Sequence, residues 1–180
     1  REEGALISFD VNYRASLWSE EKARETILSV LPMVDFFFVS EESSRRMFGM
    51  TGTHEEIQEQ FAKKYPNPRM IASKKRKVIP PPRQSFNSLV YDCESGEHFI
   101  DAPYDNIDVV DRIGSGDAYV AGALYGALKY GDIHSAARYG DAMASVKNTV
   151  IGDMTEVDIV DIDRVIKNHT TTGPKSEMVR

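Results

Sequence analysis

Short apolar runs alternate along the chain with longer segments whose apolar residues recur every three or four positions. Residues 5–9 (ALISF) and 35–39 (DFFFV) have the length and composition of buried strands, the first of them a central one. Between them, Ser19-Glu20-Glu21-Lys22 has the form of an N-cap with an acidic first turn. It predicts a helix running to about Leu31 and stopping near Pro32. A short helix is predicted over 40–47, ending at Gly49, and an amphipathic one over 53–64, where Ile57 and Phe61 are four apart. Residues 69–72 predict a short strand. The basic, proline-rich stretch 73–85 (SKKRKVIPPPRQS) predicts a loop, and 89–91 with 98–100 a hairpin around Ser95-Gly96. Further helices are predicted from the glycines at 114–116 to about Tyr130, from about His134 to Lys147, and near 157–166. Strands followed by helices predict an α/β fold, a parallel sheet with helices on both faces. It forms one unit over 1–169 without repeats, and a polar tail over 170–180 is expected to fray. Ligands of such sheets bind beyond the carboxyl ends of the strands, and the cluster Asp10-Val11-Asn12-Tyr13-Arg14 lies at one.

The bulk numbers narrow the function. A chain of 180 residues can bury a real core, and its charge of -6 comes from acids and bases mixed along it. That argues against a nucleic-acid-coating surface, which would need a basic face, while a small anion needs only a few local donors. The longest apolar runs are too short to span a bilayer. Cys93 is the one cysteine, so no disulfide can form within the chain, and a reducing, cytoplasmic setting fits. The four histidines have no zinc-ligand spacing, and no Ser-His-Asp set can be read from order. The absence of a G-x-G-x-x-G turn after the first strand argues against a dinucleotide dehydrogenase. The chain opens Arg-Glu-Glu-Gly and enters a strand within a few residues, from which a fragment is expected.

The densest chemistry is Gly114-Ser115-Gly116-Asp117, at the mouth of a helix built from Ala118, Ala121, Gly122, Ala123, Gly126 and Ala127. The first amides of a helix have no internal acceptor and carry partial positive charge. Glycines let that backbone approach an anion, so the segment can cradle a phosphate. A carboxylate among those donors would repel a phosphate unless it faces another group, a hydroxyl that must lose its proton as a phosphoryl group is transferred. The alternative is a first-turn acid beside an ordinary turn.

The longer string Val110-Asp111-Arg112-Ile113-Gly114-Ser115-Gly116-Asp117-Ala118 resembles the C-terminal signature of the PfkB, or ribokinase-like, carbohydrate kinases. Asp10-Val11-Asn12-Tyr13-Arg14 with Leu17-Trp18 resembles a second segment, D-x-N-x-R-x-x-L-W, of 2-keto-3-deoxygluconate (KDG) kinases and fructokinases. Tyr13 and Arg112 lean toward the KDG kinases. The resemblance runs through the chain in order and implies a ribokinase-like sandwich lacking its N-terminal half and lid. It implies ATP, Mg2+ and a small sugar acid as ligands; full-length members often form homo-oligomers.

By the same resemblance, Asp117 is the base on a sugar hydroxyl and Gly114, Ser115 and Gly116 form the anion hole. Arg14 reaches the substrate, where its planar fork suits a carboxylate. Asn12 and Tyr13 line the pocket near the phosphates, and Asp153 contacts substrate. Asp141 touches adenine, and Asp111 and Ile113 hold a monovalent cation such as K+. Each has a plainer alternative: a surface ion pair for Arg14, a turn or cap for Asp153, a helix-surface acid for Asp141. Three departures stand out. Where the family has N-x-x-E to help order magnesium, this chain has Ser40-Glu41-Glu42-Ser43, with Ser40 at the nucleotide and Glu41 or Glu42 as stand-ins. The usual glycine-bearing nucleotide loop is replaced by Ser73-Lys74-Lys75-Arg76-Lys77, where Ser73 and Arg76 contact ATP phosphates unless the stretch is a solvated basic loop. The third is the absent N-terminal half, which in the family supplies much of the sugar pocket and the lid. The competing readings are a fructokinase or other PfkB kinase, and a truncated nucleotide-binding module without turnover.

Overall fold

The computed structural model of the chain describes residues 3–78 and 83–170, without the side chains of 76–78. Among the described residues, six strands and six α-helices form three layers. The strands are β1 (Ser8–Asp10), β2 (Phe36–Phe38), β3 (Met70–Val78), β4 (Arg83–Asp92), β5 (His98–Ile100) and β6 (Tyr104–Asp108). The helices are α1 (Glu20–Val30), α2 (Glu41–Phe48), α3 (His54–Lys64), α4 (Ser115–Tyr130), α5 (Ile133–Asn148) and α6 (Ile159–Thr170).

Strand order is β1-β2-β3-β4-β5, with β6 also on β4. The β1–β2 and β2–β3 pairs are parallel; β4 is antiparallel to β3, β5 and β6. The sheet is therefore mixed rather than wholly parallel, and among the described residues β1 stands at one end of the strand order. β5 pairs Leu89–Tyr91 of β4 and β6 pairs its Arg83–Phe86 end, so the two lie end to end along β4. β6 (YDNID) has too few apolar residues to announce itself.

The sheet's two faces follow from side-chain alternation. Phe37 and Ile71 pack under α1, α2 and α3, with Ile27, Ile57 and Phe61. Phe36, Phe38, Met70, Ala72 and Phe86 pack under α4 and α5, around the fully buried Tyr119. The helix starts are those the sequence predicts. Ser19 caps α1 by accepting from the Lys22 amide, and Thr53 and Glu56 form a reciprocal capping box on α3. Gly49 closes α2 with φ 68°.

The proline-rich stretch departs most from expectation. Lys74–Val78 and Gln84–Ser88 pair in one continuous antiparallel ladder, so the strands reach from both sides toward 79–82, which lie outside the described residues. The prolines at 80–82 fall within that stretch. The tail 171–180 also lies outside the described residues.

Helix α4 owes its small residues to α5. A Cβ on Gly126 would stand 2.3 Å from the Ser135 carbonyl oxygen, and one on Gly122 2.4 Å from that of Tyr139. Both neighbours are backbone, so the helices must separate to admit even a methyl group. Gly126→Ala should therefore destabilise the fold by about 1–3 kcal/mol, despite alanine's better helix propensity. Urea unfolding tests this, and an unchanged or raised midpoint would contradict the close packing.

Candidate active site

Three segments meet beyond the carboxyl ends of β1 and β2. They are the 10–14 loop, the start of α2, and the head of α4, and with Lys74 of β3 they enclose a cleft of about 640 Å³. A second cleft of about 820 Å³ adjoins it and shares Ser40, Glu42 and Lys74.

The head of α4 is shaped by Gly114, which caps the helix at φ 76° and sits against the Asp153 carbonyl, 1.7 Å from where a Cβ would be. No other residue fits both conditions. The amides of Gly116 and Asp117 follow in the first turn, where helix geometry gives them no internal acceptor. Asp117 is exposed within the cleft wall. Across from it, Asp10 accepts the Asn12 amide at 3.2 Å, and Asn12 takes φ 32°, a left-handed value asparagine tolerates. Arg14 Nη1 donates to the carbonyls of Asn12 (3.4 Å) and Tyr13 (3.2 Å) of its own loop. The Tyr13 hydroxyl donates to the Trp18 carbonyl, and its ring lies 5.6 Å from the Arg46 guanidinium.

Lys74 is the residue that sequence reasoning passed over. Its ammonium donates to Asp10 Oδ2 at 3.3 Å, lies 5.7 Å from the Tyr119 ring centre, and would stand 3.2 Å from a Cβ on Gly116. Period-2 alternation, visible only once β3 is seen to continue past Ala72, would have found it. Met70, Ala72 and Lys74 share the α4 face; Ile71, Ser73 and Lys75 share the other.

The same alternation removes Ser73 from the cleft. It is buried, and its hydroxyl accepts from Gln58 of α3 at 3.3 Å. The Arg76 side chain lies outside the described residues. Ser40, Asn12, Tyr13, Arg14 and the 114–117 segment do come together. Ser40 caps α2, accepting from the Ser43 amide at 3.0 Å. Glu41 is committed to Arg45 at 2.6 Å, a bond that holds its carboxyl below the usual range. Glu42 pairs with Arg46 at 3.1 Å and faces both clefts. Asp153 is exposed and reaches the site through its backbone against Gly114.

Asp141 belongs elsewhere. It is fully buried on the face of α5 that meets β4, together with Ala137, Ala144 and Asn148, and accepts the Ser88 amide at 3.2 Å. It is neither at a nucleotide surface nor on the helix exterior. Burial pushes its carboxyl up to about 7, against the opposing pull of the Ser88 hydrogen bonds. Asp111 also departs from expectation. Its Oδ1 accepts the Ile113 amide (2.9 Å) and its Oδ2 the Gly152 amide (3.0 Å), and these bonds lower its pKa.

Residues 1–159 match the pfkB family carbohydrate kinases. The chain belongs to that family. It is 28% identical to a 2-dehydro-3-deoxygalactonokinase of Haloferax volcanii over 166 residues, 92% of this chain and 48% of that protein. The structure of 2-dehydro-3-deoxygluconokinase from Thermotoga maritima superposes with a TM-score of 0.85 at 27% identity, covering 92% of this chain and 51% of that one. A PfkB carbohydrate kinase from Listeria grayi gives 0.84 at 28% identity, over 94% and 52%. The fold is ribokinase-like, and the chain spans about half the length of these pfkB relatives.

Asp141 generates a prediction with a definite sign. Below about pH 4 the residue is protonated in folded and unfolded chains alike. Between there and about 7, the folded chain keeps a proton that the unfolded chain releases, so Asp141 makes stability fall as pH rises. Asp141→Asn keeps an acceptor for Ser88 without the charge. Its stability relative to the parent should rise from about pH 4 to about pH 7 and then level off in a urea-unfolding series. A difference independent of pH would contradict the assignment.

Proposed function

We propose that this chain carries the phosphoryl-transfer half of an ATP-dependent sugar-acid kinase whose acceptor is 2-keto-3-deoxygluconate or a closely similar 2-keto-3-deoxy acid. The observation that supports it best is the presence of the Arg14 fork, the Asp117 carboxylate and the Gly114–Gly116 backbone around one cleft. The similarity to sugar-acid kinases adds the substrate class.

In this reading the ATP phosphates lie where the two clefts join, between Lys74 and the head of α4. Asp117 takes the proton of the sugar's primary hydroxyl as its oxygen bonds to the γ-phosphorus and the bond to ADP breaks. The transition state is loose, so the proton leaves late and an ordinary carboxylate suffices. The backbone at 114–116 and the Lys74 ammonium meet the charge on the moving phosphoryl oxygens. Mg2+, when bound, would neutralise phosphate charge. Among the described residues no group of three or more His, Cys, Asp or Glu could hold a metal alone, so phosphates and one or two carboxylates, Asp10 and Glu42, would share it. Arg14 orients the acceptor by its carboxylate.

A second reading, nucleotide binding without turnover, is favoured by the chain spanning 48% to 52% of these relatives. Calorimetry with ATP beside a phosphotransfer assay on KDG and fructose separates the two, and binding with no transfer to either sugar selects the second. Where transfer occurs, Asp117→Asn should lower turnover by about 10²–10⁴-fold. Lys74→Met should weaken ATP by about tenfold or more. Arg14→Ala should lower kcat/KM for KDG by about 10–100-fold and spare fructose. Equal losses on both sugars would remove the carboxylate role, and full turnover by Asp117→Asn would remove the base.

A further inference from the structure

Among the described residues, Lys147 is the lysine with no exposed surface. It stands in the last turn of α5, where a lysine ordinarily keeps its charge in water. Here the side chain runs inward, and its ammonium donates to the carbonyl oxygens of Val150 (2.9 Å) and Asp111 (3.4 Å). Those oxygens belong to the two loops framing the head of α4, one leading into Gly114 and one carrying Asp153 over it. The loops are cross-tied a second time by Asp111, whose carboxylate accepts an amide from each, and a third time by Asn148, whose carbonyl accepts the amides of Val110 (2.8 Å) and Asp111 (3.2 Å).

An ammonium withdrawn from water is costly unless oxygens replace its hydration. Backbone carbonyls do this for monovalent metal cations. We propose that the Lys147 ammonium is a tethered monovalent cation of the anion-hole loop, seated where a free potassium ion would otherwise be needed. The assignment of Asp111 and Ile113 to K+ fails on the chemistry around them. Each Asp111 carboxylate oxygen already accepts an amide, and its carbonyl faces a fixed positive charge that would repel a second cation. As a positioning residue, Lys147 holds Gly114 under the Asp153 carbonyl and adds its charge to the positive end of α4. The purpose given to this cation rests on the kinase reading of the cleft; its seat does not.

The test compares melting in potassium, sodium and choline chloride at equal ionic strength. The unaltered chain should melt within about 1 °C in all three. Lys147→Ala, which vacates the seat, should melt lower in choline and recover a large part of the loss in potassium. Lys147→Met fills the space without charge and should melt lower in every salt alike. A selective potassium stabilisation of the unaltered chain would overturn the proposal by revealing a separate cation seat. Equal losses for Lys147→Ala in all salts would overturn it by reducing Lys147 to packing. If the alanine variant folds in none of them, calorimetry on the unaltered chain decides. ATP affinity equal within about twofold between potassium and choline supports the tethered cation, and a potassium gain beyond about tenfold overturns it. No ATP binding in any salt contradicts the kinase reading, and the melting arms still judge Lys147.

Discussion

The contact between Gly114 and the Asp153 carbonyl sets the geometry on which the cleft depends. It requires a left-handed backbone and the absence of a side chain at the same residue. With both met, the chain turns sharply into α4 and leaves the first amides of that helix facing the carboxyl ends of the strands. The constraint then passes down the helix. Gly122 and Gly126 let α4 lie against α5 almost backbone to backbone, and α5 carries Asn148 and Lys147 back to the loops around Gly114. The head of α4 is thus fixed at both ends by one pair of helices.

Charge in the cleft is arranged in small opposed sets rather than as one field. Lys74 faces Asp10, Arg46 is held between Glu20 and Glu42, and Arg45 is held by Glu41. Arg14 is different, since its bonds are to carbonyls of its own loop and, among the described residues, it has no carboxylate partner. In the proposed reading it offers a net positive fork to an acidic ligand, while Lys74 stands where an anion could compete with Asp10 for the same ammonium.

Much of this was legible in the residues. Ser19, Ser40, Thr53 and Gly49 mark helix ends through local chemistry, which a sequence states directly. The G-S-G-D turn and the D-V-N-Y-R loop were readable for the same reason, and the sheet brings them together. What stayed hidden depended on partners distant in sequence. The stretch 73–85 looks like loop because its charges and prolines suppress every strand signal, yet all of its described part is strand, paired across the sheet. Once that extension is missed, the faces are lost with it, so Ser73 is assigned to the cleft and Lys74 is passed over. Asp141 misleads similarly, and nothing local announces that Lys147 is buried. Charged residues on a helix predict exposure, and only the packing of α5 against β4 and the 149–153 loop buries them.

The central claim is that the backbone at the head of α4 binds phosphate. Amide chemical shifts followed by NMR as ATP is added test it most directly. The largest changes should fall on Gly114, Ser115, Gly116 and Asp117, with Lys74 next and little at the opposite ends of the strands. Changes centred elsewhere, or none at Gly116 and Asp117 while ATP binds, would contradict it.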